Sequence, residues 1–309
     1  MSTKPRLIVI LGPTATGKTK VATHLAAKTG GEVISADSRQ VYRQMDIGTG
    51  KDLSEYMIEG QSIPYHLIDI CNPGEDYNVN RFQQDFTNAF LDINSRSRQA
   101  ILCGGTGLYL QAVLEGYRIT SVPEDFQLRE KLSVCSKKEL LDMIKIYSFP
   151  EEFKPDSSSM KRLIRAIEVG EYLKLNPEKE IEKAGFEPVL FGLKVERELR
   201  RKWITERLQN RLNSGLIEEV EGLIGQGVAK DKLRFYGLEY KFVTDYLDKQ
   251  IDRNQLFEKL NIAIHQFAKR QMTWFRKMER EGYEISWIDA TCPLDEKLSF
   301  IAKKLNSDI

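Results

Sequence analysis

Nowhere does an apolar run in the 309 residues approach the roughly 20 that cross a bilayer; the early run 7–11 is strand length, and no membrane partner is expected. Residues 1–11 carry basic residues and then that short run, without a longer apolar stretch ahead of a small-residue cleavage site, so no signal peptide is expected. Histidine is scarce. His24, His66 and His265 share no spacing and read as structural residues rather than metal ligands. Cys71, Cys103, Cys135 and Cys292 lie far apart with no C-x-x-C pair, which argues against zinc and for reduced thiols in a cytoplasm. An excess of one charge sign is missing too. With 46 basic and 45 acidic side chains the net charge is +1, so any nucleic-acid surface must be a local patch. Repeats and low-complexity tracts are absent, and a chain of this size can bury roughly three-quarters of its unfolded surface.

What is there alternates strands with helices. Residues 6–11 (RLIVIL), 32–37 and 65–70 read as strands, and 18–28 as a helix. Residues 79–96 put Phe82, Phe86, Ala89, Phe90 and Ile93 on one helical stripe, and 100–103 form a strand running into Gly104-Gly105-Thr106-Gly107 and a helix to 114. Short apolar strands separated by helices predict parallel pairing, hence an α/β fold. From 123 to about 186 the strand pattern stops. Helices are expected at 124–135, 137–147 and 158–175, punctuated by Pro123, Pro150, Pro155 and Pro177, with serines 157–159 placed to cap the third. A strand at 189–195, helices at 197–214, 216–225 and 254–279, and a last strand at 284–289 complete the reading. The expected organisation is a core of 1–116 and 188–309 interrupted by a helical insertion, 117–187.

Gly12-Pro13-Thr14-Ala15-Thr16-Gly17-Lys18-Thr19 fits G-x-x-x-x-G-K-[ST] between a strand and a helix, the context that gives the pattern meaning. Glycines let backbone N–H groups converge on phosphate oxygens, and the helix N-terminus adds partial positive charge. Lys18 adds a full charge, and the Thr19 hydroxyl can ligate Mg²⁺. The motif suits ATP and equally any diphosphate.

Strand two ends in Asp37-Ser38-Arg39-Gln40-Val41-Tyr42, where open α/β sheets bind ligands. Together with MDIGTGK at 45–51, YHLIDI at 65–70, GGTGLYLQAVLEG at 104–116, KRLIRAIEV at 161–169, ERLQNRLNSGLIEEV at 206–220 and FAKRQMTWFRK at 267–277, this chain resembles the bacterial tRNA dimethylallyltransferases. The resemblance implies a P-loop NTPase-like parallel sheet core with helices on both faces and an all-helical insertion domain. It implies transfer of a dimethylallyl group from dimethylallyl diphosphate to N6 of the adenosine 3′-adjacent to the anticodon, in tRNAs reading codons that begin with U. It gives Asp37 as general base, Arg207 as a cation on the leaving diphosphate and Thr106 as a residue beside the reaction centre. Residues 12–19 then hold diphosphate with Mg²⁺ at Thr19. Contacts to the tRNA anticodon stem-loop come from Asp37, Ser38, Arg39, Gln40, Thr106, Arg129, Lys161, Arg162, Leu163, Ile164 and Arg165. A cytoplasmic monomer is expected.

The sequence departs from that family at three places. Phe235-Tyr236-Gly237-Leu238-Glu239-Tyr240 stands where a glycine-tyrosine-lysine-glutamate block meets tRNA; Trp203 stands for an arginine, and Ile264-His265 for a threonine-arginine pair. Two further basic concentrations are Arg197, Arg200, Arg201, Lys202, Arg207 and Arg211, and Lys269, Arg270, Arg276, Lys277 and Arg280. Each reads either as a phosphate-tracking surface or as a solvated helix face paired with Glu196, Glu198, Glu206 and Glu279. The alternatives are a nucleotide or small-molecule kinase, in which Asp37 would activate a hydroxyl, and a non-catalytic RNA-binding protein. The joint presence of Asp37, Thr106 and Arg207 with the phosphate loop favours the transferase.

Overall fold

The computed structural model describes residues 4–115, 122–149, 153, 155–176 and 185–307. In chain order the elements are β1 (Arg6–Leu11), α1 (Lys18–Thr29), β2 (Glu32–Ser35), the antiparallel pair β3 (Met57–Ile58) and β4 (Gln61–Ser62), β5 (Tyr65–His66), α2 (Val79–Ser95), β6 (Ala100–Gly104) and α3 (Gly107–Glu115). Three helices follow, α4 (Phe126–Ser133), α5 (Lys137–Ile144) and α6 (Met160–Leu175). Then come β7 (Glu187–Lys194), α7 (Arg197–Asn213), α8 (Leu216–Gly225), α9 (Lys230–Tyr236), α10 (Leu238–Leu247), α11 (Arg253–Arg280), β8 (Ile285–Asp289) and α12 (Leu294–Ser307). The chain divides into two compact units, Met1–Leu114 with Gly185–Ile309, and Glu115–Ala184.

In the larger unit six strands pair in the order β5-β2-β6-β1-β7-β8, every pair parallel. β1 is central, with Val9 opposite Leu102 on one side and Leu190 on the other. Ile8 and Ile10 share an apolar cluster with Phe191, with Val21 and Leu25 of α1, and with Leu298 and Ile301 of α12. Leu7, Val9 and Leu11 point to the opposite face and are as fully buried. Helices cover both faces, which is why RLIVIL is apolar throughout rather than alternating. On α2, Phe82, Phe86, Phe90 and Ile93 are buried, and Phe82 stacks on Tyr109 of α3 with centroids 4.0 Å apart.

Several expected elements change. The strand expected at 65–70 shrinks to β5, because Leu67 and Asp69 take positive φ of 62° and 55° and turn the chain away. The strand expected at 32–37 ends at Ser35, freeing Asp37 for the loop beyond. Periodicity left α9, α10 and α12 unassigned. The first two are 7 and 10 residues long, below the length at which an isolated helix holds, so packing decides them.

The smaller unit is helical among its described residues, and Pro150, Pro177 and the expected boundary at 116/117 lie outside them. Asp125, Ser136 and Ser159 cap α4, α5 and α6, Ser136 through a capping box with Glu139. Leu132, Leu140, Leu163 and Ile167 form its core.

Candidate active site

The phosphate loop leaves the carboxyl end of β1 and enters α1 at Gly17. Gly12 has φ 149°, and a Cβ there would lie 2.6 Å from the Leu193 carbonyl oxygen of β7, so glycine is needed for both conformation and space. Ala15 (φ 64°) and Gly17 (φ 74°) turn the chain, and no side chain caps the helix N-terminus, whose N–H groups are left for an anion. The buried Thr16 hydroxyl donates to the Pro13 carbonyl at 2.9 Å and braces the turn. Lys18 Nζ donates to the same carbonyl at 2.7 Å. Burial pushes the Lys18 ammonium down to about 8, and Arg207 adds to this, while Cys103, Asp37 and Glu55 oppose it. Lys18 thus stands within electrostatic reach of both Asp37 and Arg207. Burial also pushes the Cys103 thiol up to about 12, so it is neutral at pH 7 and no nucleophile.

Beside the loop, the ends of β2 and β6 lie tightly together. A Cβ on Gly104 would lie 2.3 Å from the Ala36 carbonyl oxygen. Across this junction the Ser38 N–H donates to Thr106 Oγ1 at 3.3 Å, and the Thr106 N–H donates to the Ala36 carbonyl at 3.4 Å. Asp37 is half-buried. Its Oδ1 accepts from the Arg39 N–H at 2.9 Å, and Oδ2 has no hydrogen bond among the described residues. Gln40 takes the Ser35 hydroxyl at 2.9 Å and donates to the Gly50 carbonyl at 3.1 Å, a bracing role between two loops.

Arg207, on α7, reaches the phosphate loop from far along the chain. Its Nη2 donates to Asp52 Oδ2 at 2.7 Å, and its Nη1 lies 3.5 Å from Thr14 Oγ1. Sequence reasoning missed two supports here, Asp52 and Gln271. Buried Gln271 on α11 accepts from the Thr14 N–H and donates to the Gly105 carbonyl, both at 2.9 Å, tying the phosphate loop to the segment that carries Thr106. It lies within FAKRQMTWFRK, yet nothing local in that block marks it as a bridge.

The two later basic concentrations converge. Lys194, Arg197, Arg200, Arg201, Lys269 and Arg276 line a single cavity of about 630 Å³. Burial, with Arg197 and Arg276 nearby, holds the Arg200 guanidinium below its ordinary range. Pairing is partial, since Glu198 lies 3.9 Å from Arg197 and 3.8 Å from Arg201. His265 lines the same cavity, and burial with Arg201 and Arg200 pushes it down. At the altered 235–240 block Tyr236 and Tyr240 are buried, while Phe235 is exposed with the Arg39 guanidinium 5.6 Å from its ring.

In the smaller unit the expected tRNA residues separate. Leu163 is fully buried in the helical core, and the half-buried Ile164 packs against it. Arg129 and Arg165 grip Glu168, which is 2% exposed. Arg129 donates to it twice at 2.9 Å, Arg165 donates to it as well, and the Asp125 N–H does so at 2.6 Å. Burial raises the Glu168 carboxyl, but the two arginines and that amide outweigh it and hold it below its ordinary value. Arg162 pairs with Asp156, whereas Lys161 is exposed and has no ion-pair partner among the described residues.

Among the described residues no three His, Cys, Asp or Glu side chains converge as a metal cage. The donor beside the phosphate loop is the half-buried Thr19 hydroxyl, which has no hydrogen-bond partner among the described residues. Oxygens of a bound diphosphate and water would complete its donor set, the hard and incomplete kind that suits Mg²⁺.

The family model described as IPP transferase matches residues 40–278, and that described as isopentenyl transferase matches 5–64. The chain is 50% identical over 299 residues to tRNA dimethylallyltransferase 2 of Bacteroides fragilis, covering 97% of each. It is 51% identical over 297 residues to tRNA dimethylallyltransferase 1 of Porphyromonas gingivalis, covering 96% of this chain and 98% of that one. The crystal structure of the tRNA isopentenylpyrophosphate transferase of Bacillus halodurans superposes with a TM-score of 0.71 at 34% identity, covering 98% of both chains.

Proposed function

The chain belongs to the IPP transferase family, and from that premise we propose that it transfers a dimethylallyl group from dimethylallyl diphosphate to N6 of the adenosine 3′-adjacent to the anticodon, in tRNAs that read codons beginning with U. The observation that carries the reading is the gathering of Asp37, Thr106 and Arg207, from three distant stretches, around one phosphate loop. A kinase would need the loop; it would not need this set.

The N6 lone pair attacks C1 of the dimethylallyl group, the C1–oxygen bond breaks with its electron pair leaving on diphosphate, and the N6 proton passes to Asp37. The adenine amine is a weak nucleophile because its lone pair is delocalised into the ring. A carboxylate removing its proton as the bond forms relieves that handicap. Asp37 Oδ1 is held by the Arg39 amide, which leaves Oδ2 for that proton. The Thr106 hydroxyl accepts from Ser38 and keeps its own O–H to donate to the base. Charge grows on the diphosphate as it leaves, and the N-terminus of α1, Lys18 and Arg207 oppose it. Mg²⁺, held at Thr19, would supply further charge neutralisation on those oxygens. Thr16 and Gln271 keep the loop in shape.

In the smaller unit Lys161 and Arg162 contact tRNA; in the larger, Ser38, Arg39 and the basic cavity at the end of β7 do so. The target base must leave its stack, and Phe235 beside Arg39 offers a stacking surface for a neighbouring base. No helix among the described residues is long and apolar enough to cross a membrane. Acting on tRNA, the protein works where its substrate is made, in the cytoplasm, as a single chain. The test is incubation with dimethylallyl diphosphate, Mg²⁺ and unmodified tRNA, followed by nucleoside mass spectrometry. N6-(dimethylallyl)adenosine and an equal amount of diphosphate are expected, with ATP neither needed nor consumed. ADP formed in step with turnover would hand the site to the kinase reading.

A further inference from the structure

The loop 45–51 (MDIGTGK) is shaped by one carboxylate from outside it. Glu219, on α8, accepts from the N–H groups of Asp46 at 2.8 Å, Ile47 at 2.7 Å and Gly48 at 3.0 Å, and from the Tyr240 hydroxyl at 2.6 Å. Three consecutive amides converging on one anion form a nest, and hydrogen bonds to an ionised acceptor are about twice as strong as neutral ones. Lys51 closes the far end. It is fully buried, and its Nζ donates to the Tyr42 carbonyl and to Asp46, each at 2.6 Å, and to Asp69.

Between these anchors the loop presses on the diphosphate arginine. Gly50 has φ 64°, and a Cβ there would lie 2.5 Å from Arg207 Nη2 and 1.7 Å from Arg211 Nη2. The next residue but one, Asp52, pairs with Arg207 at 2.7 Å. The Arg207 guanidinium is therefore bounded by this loop on one side and ion-paired to its end. We infer that Glu219 is a positioning residue for Arg207: it fixes the loop, and the loop fixes the guanidinium that meets diphosphate. This rests on the transfer reading above for what Arg207 does, though not for where Arg207 sits.

The test has one arm without turnover and one with it. In the free protein, Glu219→Ala should speed amide exchange at Asp46, Ile47 and Gly48 and shift the Arg207 side-chain N–H resonance. Tyr240→Phe, which keeps all three amide bonds, should move both much less and guards against misfolding of the first variant. In transfer assays Glu219→Ala should lower kcat/KM for dimethylallyl diphosphate by about 10²-fold, the scale of a misplaced catalytic group, with tRNA affinity within about twofold. In an Arg207→Ala background the same substitution should cost less than about twofold, because the interaction it supports is already gone. Unchanged amide exchange with an unchanged Arg207 resonance overturns the inference, and so does a full cost that persists in the Arg207→Ala background. Absence of transfer by the wild-type protein would sink the functional reading, and the resonance and exchange measurements would still decide the role of Glu219.

Discussion

Arg207 in the larger unit and Arg129 in the smaller one are both helix-borne arginines paired with a carboxylate, but in opposite settings. The Asp52 partner of Arg207 is half exposed, on a loop beside the phosphate site, which under the proposed function lets an incoming diphosphate compete for the guanidinium. The Glu168 partner of Arg129 is buried, takes two hydrogen bonds from it, and shares itself with Arg165 and an amide. An exposed pair in high dielectric contributes little to stability and is available for binding; a buried one is costly to break and serves the fold. The partner's burial separates the two settings.

That contrast can be attacked at both ends. The largest effect should come from Asp37→Asn, which keeps shape while removing the base. A loss of about 10²–10⁴-fold in single-turnover transfer is expected, with folding and tRNA affinity intact. Near wild-type turnover would return Asp37 to a turn-capping role. Next, Arg207→Ala and Lys18→Ala should each cost about 10²–10³-fold in kcat/KM for dimethylallyl diphosphate, with little change in thermal stability. Loss of tRNA binding alone in either variant would break the assignment.

Arg129→Ala should behave in the reverse sense. About 3 kcal/mol of stability should vanish from the smaller unit, at the low end for an orphaned buried charge because Arg165 remains. Amide exchange across α4–α6 reports this, and a variant as stable as wild type would erase the distinction. The same carboxylate predicts a pH effect. The Glu168 carboxyl titrates below its ordinary 4.5 in the folded chain, so its contribution is fully present above that value and is lost as pH falls through the folded value. Glu168→Gln should flatten that acid limb in a denaturation series. The smallest effect is expected at Lys161, exposed and without an ion-pair partner among the described residues. Lys161→Ala should weaken tRNA binding modestly and lower the slope of its salt dependence by about one unit; an unchanged slope would remove it from the tRNA face.

The phosphate loop was readable from the chain because its chemistry is confined to a short stretch: turn conformations at Gly12 and Gly17, and the opening of α1. The same holds for the apolar strand β1 and for the serine cap of α6, which acts within three residues of itself. The inward position of Leu163 was not readable, for the converse reason. KRLIR reads as a basic stretch along the chain, but a helix of 3.6 residues per turn sends Leu163 into the core and packs Ile164 against it.

What only the tertiary structure decided are the partners of those local features. Gln271 meets the Thr14 amide across 257 residues, and Glu219 meets Asp46 across 173. The sequence by itself determined an α/β chain with a phosphate loop and a carboxylate at the end of its second strand, because backbone conformation and side-chain periodicity are set by near neighbours. It left open which arginines face a ligand and which hold a buried acid. A guanidinium is the same group in either place, and its role depends on the dielectric and partners that packing brings to it.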